Sequence, residues 1–296
     1  MERVIVVDNA STDGTEELLG ERGLLADPRI GYERTERNLG GAGGFARAIA
    51  RARECGGWDW VWIMDDDAEP APGALAALLS SRWAAEPGTA VLAQRIVNPD
   101  GSLQLGARGH FRGRAIALSV EDHVDGAELD FATFVGILVR GDAVRATDPP
   151  KAEMFIWGDD YEWCLRVRRQ GRLRLVPASA IVHKDVGHGF ETRRGRLVNR
   201  ALGWSYGATP YAGFWRNICG ARNWVWIKKT HMGESPLGAV ATVGQLVAKA
   251  LLYDERPFAR IPWLVRAGID GRRGVFRNVT PAQWAARGRA RQGRAR

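Results

Sequence analysis

The chain has 296 residues, 45% hydrophobic and 26% charged, the proportions of an ordinary soluble globular protein and enough for one large α/β core or a domain with an appendage. Its net charge of +8 is not spread along the chain: residues 254–296 hold eleven arginines against Asp254, Glu255 and Asp270 and carry the whole excess, so the body is neutral and a nucleic-acid partner is not expected. The three cysteines, Cys55, Cys164 and Cys219, are odd in number and widely spaced, which fits neither a disulfide framework nor a zinc site and points to a reducing, cytoplasmic compartment. Met1 runs into the strand-like Val4 to Val7 with no basic or apolar leader, so no secretory signal is expected. The longest apolar stretch, 238–253, is broken by Gln245 and Lys249 and is too short to span a bilayer.

Strand and helix signals alternate over the first two-thirds, as in βαβ units. A strand is predicted at 4–7, then a helix from Thr15 with Ser11, Thr12 and Asp13 as candidate caps, and a second strand at 30–33. A helix over about 44–55 leads to a strand at 60–64, and residues 72–85 read as helical. Residues 90–97 read as extended, with a strong turn at Asn98-Pro99-Asp100-Gly101. Further strands are predicted at 131–139, 173–177 and 181–182, with a helix over 159–170. From about 200 the character changes: Trp204, Tyr206, Tyr211, Phe214 and Trp215 crowd a short stretch. A helix follows near 237–252 with Val240, Val243, Val247 and Leu251 on one face, and 285–296 reads as a disordered tail. The division expected is residues 1–200 and a helical region over 201–296.

Three consecutive aspartates, Asp65, Asp66 and Asp67, close the apolar run Trp60-Val61-Trp62-Ile63-Met64. Carboxylates this close repel unless a cation neutralises them, and hard divalent ions prefer such oxygen ligands. Ligands also gather beyond the carboxyl ends of strands in open α/β sheets. The competing reading is a solvated acidic turn before Pro70 and Pro72. The glycines at 40, 41, 43 and 44 let backbone approach a ligand and supply N–H donors at a helix start. Asp8 ends a strand and either meets a nucleobase imide or forms a local Asx-turn with its neighbours. Asp159 and Asp160 open a helix, where the backbone dipole alone would favour acids.

Four patterns fall in an informative order: Val-Val-Asp-Asn-Ala-Ser-Thr-Asp-Gly-Thr at 6–15, Arg-Asn-Leu-Gly-Gly-Ala-Gly-Gly-Phe at 37–45, Met-Asp-Asp-Asp-Ala at 64–68 and Trp-Gly-Asp-Asp-Tyr-Glu-Trp at 157–163. Over residues 3–190 the set resembles the inverting family 2 glycosyltransferases of the GT-A fold, most of all their galactofuranosyltransferase branch, with bacterial rhamnosyltransferases close by. The resemblance implies a Rossmann-like mixed α/β sheet flanked by helices, followed by a helical, aromatic and basic C-terminal extension. It also implies a UDP- or dTDP-linked sugar donor, a lipid-linked or oligosaccharide acceptor and a Mn2+ or Mg2+ cofactor. Residue by residue, Asp8 would contact the base, and Asn38 with Gly40 and Gly41 would lie along the donor. Asp65, Asp67 and His183 would hold the metal while Asp66 turns to the donor's ribose or sugar. Asp160 would be the general base, with Asp159, Glu162 and Trp157 orienting the acceptor. His110 and His188 are weaker metal candidates, and the basic run Arg193, Arg194, Arg196 and Arg200 would close over the diphosphate as a loop.

At the front the chain departs from the family pattern: members begin with a further strand and helix ahead of Val-Val-Asp, whereas Met1 stands a few residues before Asp8. Either the start codon is assigned too late, the chain is trimmed, or its donor site is damaged; the intact downstream motifs favour a late start, with the first strand encoded upstream of Met1. Trp157, Trp163 and Trp204 are candidate platforms for sugar rings, most of the 12 tryptophans being core. The tail's arginines, with Trp263, Leu264 and Val265 inserted shallowly, would hold the protein peripherally on the anionic inner face of the cell membrane. Two rivals differ in class. A nucleotidyltransferase would want a basic residue in its glycine loop, and 40–45 has none. An inactive membrane-binding scaffold would have no need of the acids at 65–67 and 160.

Overall fold

The computed structural model describes residues 2–184, 190–203 and 206–286 and divides into two compact units, Met1–Ala152 with Asp159–Val186, and Glu153–Gly158 with Gly187–Arg296. In the first unit β1 (Val4–Asp8) and β2 (Ile30–Arg34) pair in parallel as a separate two-stranded sheet, with Asp8 opposite Arg34. The main sheet is built from β3 (Trp60–Ile63), β4 (Ala68–Pro70), β5 (Thr89–Val97), β8 (Glu128–Leu129), β10 (Ile137–Arg140) and β11 (Arg172–His183). Its order is β3-β10-β5-β11-β4, with β8 also on β11; only β5 and β11 run parallel. A third sheet, β7-β6-β9, comprises β6 (Arg108–Phe111), β7 (Ala115–Ala117) and β9 (Phe131–Ala132). The result is a GT-A-like mixed α/β fold with helices against the sheet.

Alternation explains why the central strands read as unbroken apolar runs. Val91, Ala93, Ile137 and Val139 pack on one face with Ile49 and Trp163, while Leu92 and Leu138 pack on the other with Leu78 and Val176, so both faces are buried. Elsewhere the expected elements shift. Gly14, not Ser11, Thr12 or Asp13, is the N-cap of the helix Thr15–Glu21, with no side-chain cap bond. The helix expected at 44 begins at Gly40, and that expected over 72–85 breaks at Ser80 and Ser81 into Ala74–Leu79 and Arg82–Ala85. The strand expected over 131–139 is interrupted because Gly136 sits at φ 83° and the carbonyls of Thr133, Val135 and Gly136 accept from Arg108.

In the second unit the helices Phe214–Met232, Pro236–Leu252 and Pro257–Arg273 carry a core of Phe214, Trp215, Ile218, Leu264 and Trp284. The aromatic crowd is thus largely structural, while Trp204 and His188 lie outside the described residues, as do the arginines beyond residue 286. Three expectations change here. Leu264 is buried and Trp263 packs on the core and on Trp284, so they do not form a free inserting patch. Val240 and Leu251 face outward while Val247 packs inward, because Ala239, Thr242 and Ala250 define the buried side of their helix. The basic run forms the helix Arg193–Leu202, capped by Thr192, rather than a loop. Residues 285 and 286 end a helical turn.

Candidate active site

The three aspartates follow β3, where the chain turns with the Ala68 N–H donating to Asp65 O at 3.3 Å; Asp66 is exposed while Asp65 and Asp67 are half-buried. The antiparallel register of β4 and β11 sets His183 opposite Ala68 and so beside Asp67. His183 Nε2 lies 3.4 Å from Asp67 Oδ1, and its Nδ1 is 2.8 Å from Gln104 Oε1. Since an amide oxygen can only accept, Nδ1 donates to Gln104, and this bond fixes the ring with Nε2 turned toward Asp67. Asp67 Oδ1 is itself turned inward, with no hydrogen-bond partner, although the side chain as a whole is 38% exposed. A carboxylate oxygen with no hydrogen-bond partner beside a histidine fixed by an amide is a donor pair of the kind that binds divalent cations.

Among the described residues no three histidine, cysteine or carboxylate side chains stand close enough to hold a metal alone, so Asp65, Asp67 and His183 do not form the closed trio expected. Asp65 belongs to the same electrostatic cluster: burial first, then the charges of Asp67, Asp66 and Asp159, push its carboxyl up to about 7.

Asp159 is buried, and Asp160 Oδ1 accepts from the Tyr161 N–H at 2.7 Å, the first-turn geometry expected of a helix N-terminus. Burial nevertheless pushes both carboxyls above their ordinary range, Asp160 well above it, with Asp159 and Asp65 adding like charge. Raised acids are stronger bases when ionised. Arg108 opposes this rise without pairing: fully buried, it donates to the carbonyls of Gln94, Ala107, Thr133, Val135 and Gly136. Burial pushes its own guanidinium down to about 10. Glu162 is engaged internally, both oxygens accepting from Arg166 at 2.8 Å.

At the other strand end Asp8 is buried, Oδ1 accepting from the Ser11 N–H at 2.7 Å and Oδ2 from the Tyr32 hydroxyl at 2.6 Å and Arg34 at 3.0 Å. Burial pushes its carboxyl up, but these bonds outweigh it and hold the group below its ordinary value. The glycine segment is clamped by Asn9, which donates to Gly40 O at 2.8 Å and accepts from the Leu39 N–H at 2.8 Å, while Asn38 Oδ1 accepts from the Gly40 N–H at 2.8 Å. Gly40 takes φ 75°, and a Cβ at Gly43 would stand 2.4 Å from Leu39 Cβ. A Cβ at Gly41 would meet nothing within 4 Å, so that backbone faces open space.

In the second unit Phe155 and Trp157 hold φ 67° and 62°, a left-handed conformation costly for such side chains, and Gly158 follows at 92°. Buried Asn223 holds the segment there, its Nδ2 donating to the carbonyls of Met154, Ile156 and Trp157 at 3.0, 3.0 and 2.7 Å. Trp157 remains 48% exposed. Asn9, Gln104, Arg108 and Asn223 were not among the residues singled out from sequence. Asn9 sits inside a quoted motif; nothing local marks the other three.

Comparison with known proteins follows from these features. The family profile described as glycosyl transferase family 2 matches residues 2–147. The galactofuranosyltransferase GlfT1 of Mycolicibacterium smegmatis is 30% identical over 177 residues, 57% of this chain and 57% of that protein. The N-acetylglucosaminyl-diphospho-decaprenol L-rhamnosyltransferase of Mycobacterium tuberculosis is 36% identical over 114 residues, 36% of this chain and 35% of its own. The chain thus spans little more than half the length of GlfT1. A crystal structure of GalNAc-T7 with UDP, GalNAc and Mn2+ superposes at a TM-score of 0.51 with 15% identity, over 77% of this chain and 41% of that one, a likeness of fold.

Proposed function

We propose, taking as premise that the chain carries a glycosyl transferase family 2 domain, that it is a metal-dependent, inverting glycosyltransferase of cell-envelope glycan synthesis. The donor would be a nucleotide-linked sugar, with UDP-galactofuranose as our reading and the name galactofuranosyltransferase of the GlfT1 relatives favouring the sugar, and the acceptor a lipid-linked saccharide. The observation that carries this reading is Asp67 Oδ1, turned inward without a hydrogen-bond partner and 3.4 Å from His183 Nε2, beside carboxylates raised by burial. A dTDP-rhamnose donor is the second reading, favoured by the 36% identity to a rhamnosyltransferase over 114 residues.

In this mechanism the backbone around Gly40 and Gly41 lies along the donor diphosphate at the start of a helix, where N–H groups favour an anion. Asp8, its Oδ2 taken up by Tyr32 and Arg34, would meet the base through the lone pair left on Oδ1 beside the Ser11 N–H. Asp67 and His183, with Asp65, would hold Mn2+ or Mg2+, which when bound neutralises charge on the departing diphosphate. Asp160 takes the acceptor hydroxyl proton as that oxygen attacks the anomeric carbon opposite the leaving group, so configuration inverts. Trp157 offers an exposed ring face for a sugar.

The test is a titration of Mn2+ or Mg2+ against binding of UDP-sugar to the wild type and to Asp67→Ala. Metal should strengthen wild-type binding about tenfold or more and leave the variant unchanged. Equal affinity with and without metal in both proteins refutes the assignment.

A further inference from the structure

The helix Pro236–Leu252 turns its least polar side to solvent. Leu237 is 80% and Val240 69% exposed; Ala241, Gly244 and Ala248 continue the stripe at helical spacing to Leu251 and Leu252. Gln245 is exposed on that helix, and its one charged residue, Lys249, is 34% exposed and held by Thr209 and Asp254 at 3.2 Å. A solvated helix is ordinarily polar on this side. Beyond its C-terminal end stands Phe258, 80% exposed.

Basic side chains gather at the same end. The helix Arg193–Leu202 is tied there by Thr192 Oγ1 donating to Tyr253 O at 2.7 Å and by Arg194 donating to Leu252 O at 3.1 Å and Asp254 O at 2.6 Å. Arg193, Arg194, Arg196, Arg200 and Arg256 are exposed, as is Leu197 between them. The acids nearby do not cancel them: Glu191 meets Arg196 at 3.5 Å, while Asp254 is buried against Lys249 and Arg260.

An uncharged apolar stripe ending in a cluster of cations is the pattern of a helix lying in a lipid interface. We propose that the second unit docks on an anionic bilayer, the stripe from Leu237 to Leu252 with Phe258 entering the acyl boundary and Arg193, Arg194, Arg196, Arg200 and Arg256 meeting headgroup phosphates. The inference names the surface by which a lipid-borne acceptor would be approached and to that extent rests on the proposed function, but it needs neither sugar nor metal. It moves the contact from the arginine tail, where sequence placed it, to a folded face. Charge complementarity favours lipid over a second copy of the chain, since a self-facing patch would set these arginines against their own kind.

The full chain would be sedimented with vesicles of phosphatidylcholine alone and of phosphatidylcholine with phosphatidylglycerol, at low and physiological salt. Wild type should bind the anionic vesicles, more weakly as salt rises. The double variant Leu237→Glu with Val240→Glu should bind them at least about tenfold more weakly, since each enforces a charge at the acyl boundary. Circular dichroism and metal-dependent nucleotide binding should be unchanged; if that variant misfolds, Phe258→Ser replaces it. Three results overturn the proposal: no binding by folded wild type, binding unchanged in the folded variants but lost on deletion of 287–296, or a wild-type dimer by light scattering that the variants make monomeric without vesicle binding. Loss of nucleotide binding with vesicle binding intact would count against the proposed function alone.

Discussion

Asp65→Asn should stabilise the metal-free protein at alkaline pH while removing the function the carboxylate serves. Asp65 is pushed up from 3.8 to about 7, chiefly by burial and then by Asp67, Asp66 and Asp159. An acid whose folded pKa lies above its unfolded one binds extra protons in the fold, so stability is present below about pH 4 and is lost as pH rises through about 7. Three pKa units at about 1.4 kcal/mol each set a ceiling of about 4 kcal/mol at pH 8. Halved for the solvent that reaches this half-buried group, the expected gain for the neutral amide is about 2 kcal/mol, or a Tm rise of roughly 4–8 °C for a unit of this size. Thermal unfolding in chelator at pH 4 and pH 8 would measure it: near-equal Tm values at pH 4, the variant higher at pH 8. Wild type with saturating Mn2+ should recover most of that difference and the variant little. An equal Tm change at both pH values would mean that Asp65 carries no ionisation penalty, and the electrostatic cluster would be the wrong account of the site.

Asp160→Asn keeps shape and removes the proton acceptor, so turnover should fall by roughly two to four orders of magnitude with donor affinity little changed; survival of turnover there with its loss in Asp159→Asn would move the base to the neighbour. Asn223→Ala withdraws donors from one buried and two part-buried carbonyls and leaves Arg222 without its acceptor at 2.8 Å, which should cost about 1–3 kcal/mol by denaturant titration, and a loss under about 0.5 kcal/mol would contradict the bracing described. Gly43→Ala should destabilise the fold by about 1–3 kcal/mol through its clash with Leu39. Gly41→Ala should leave stability equal or better and weaken nucleotide-sugar binding, and unaltered affinity would take the diphosphate away from that backbone.

The legible parts of this protein were those whose chemistry is local. The buried strands showed themselves because both faces of Val91 to Ala93 and Ile137 to Val139 are apolar, and the aspartates because three charges end such a run. What could not be read depends on residues meeting across long separations. Gln104 matters because it lies 79 positions from His183 and still accepts from it, and Asn223 because it reaches back 66 positions to Trp157. Arg108 looked like one arginine among many, yet it interrupts a predicted strand by taking its carbonyls. The outward face of Pro236–Leu252 was misjudged for the opposite reason: periodicity locates an apolar stripe but not which way a neighbour lets it turn, and here small residues, Ala239, Thr242 and Ala250, took the inner side.

The same logic explains why the acidic cluster is tolerable. Asp65 is raised by burial and then by Asp67, Asp66 and Asp159, Asp160 by burial and then by Asp159 and Asp65, and Arg108, the cation whose charge Asp160 feels, already donates to five carbonyls and forms no ion pair with either. A cluster without its counter-ion costs folding energy at neutral pH, and a cation bound to the native state returns that energy by mass action. Fold stability and donor binding would then be linked through one electrostatic term: whatever neutralises Asp65 and Asp67 makes the strand end both more stable and more attractive to a diphosphate. If the cluster takes up a metal, relief of this cost in the free protein would add to its affinity for the cation.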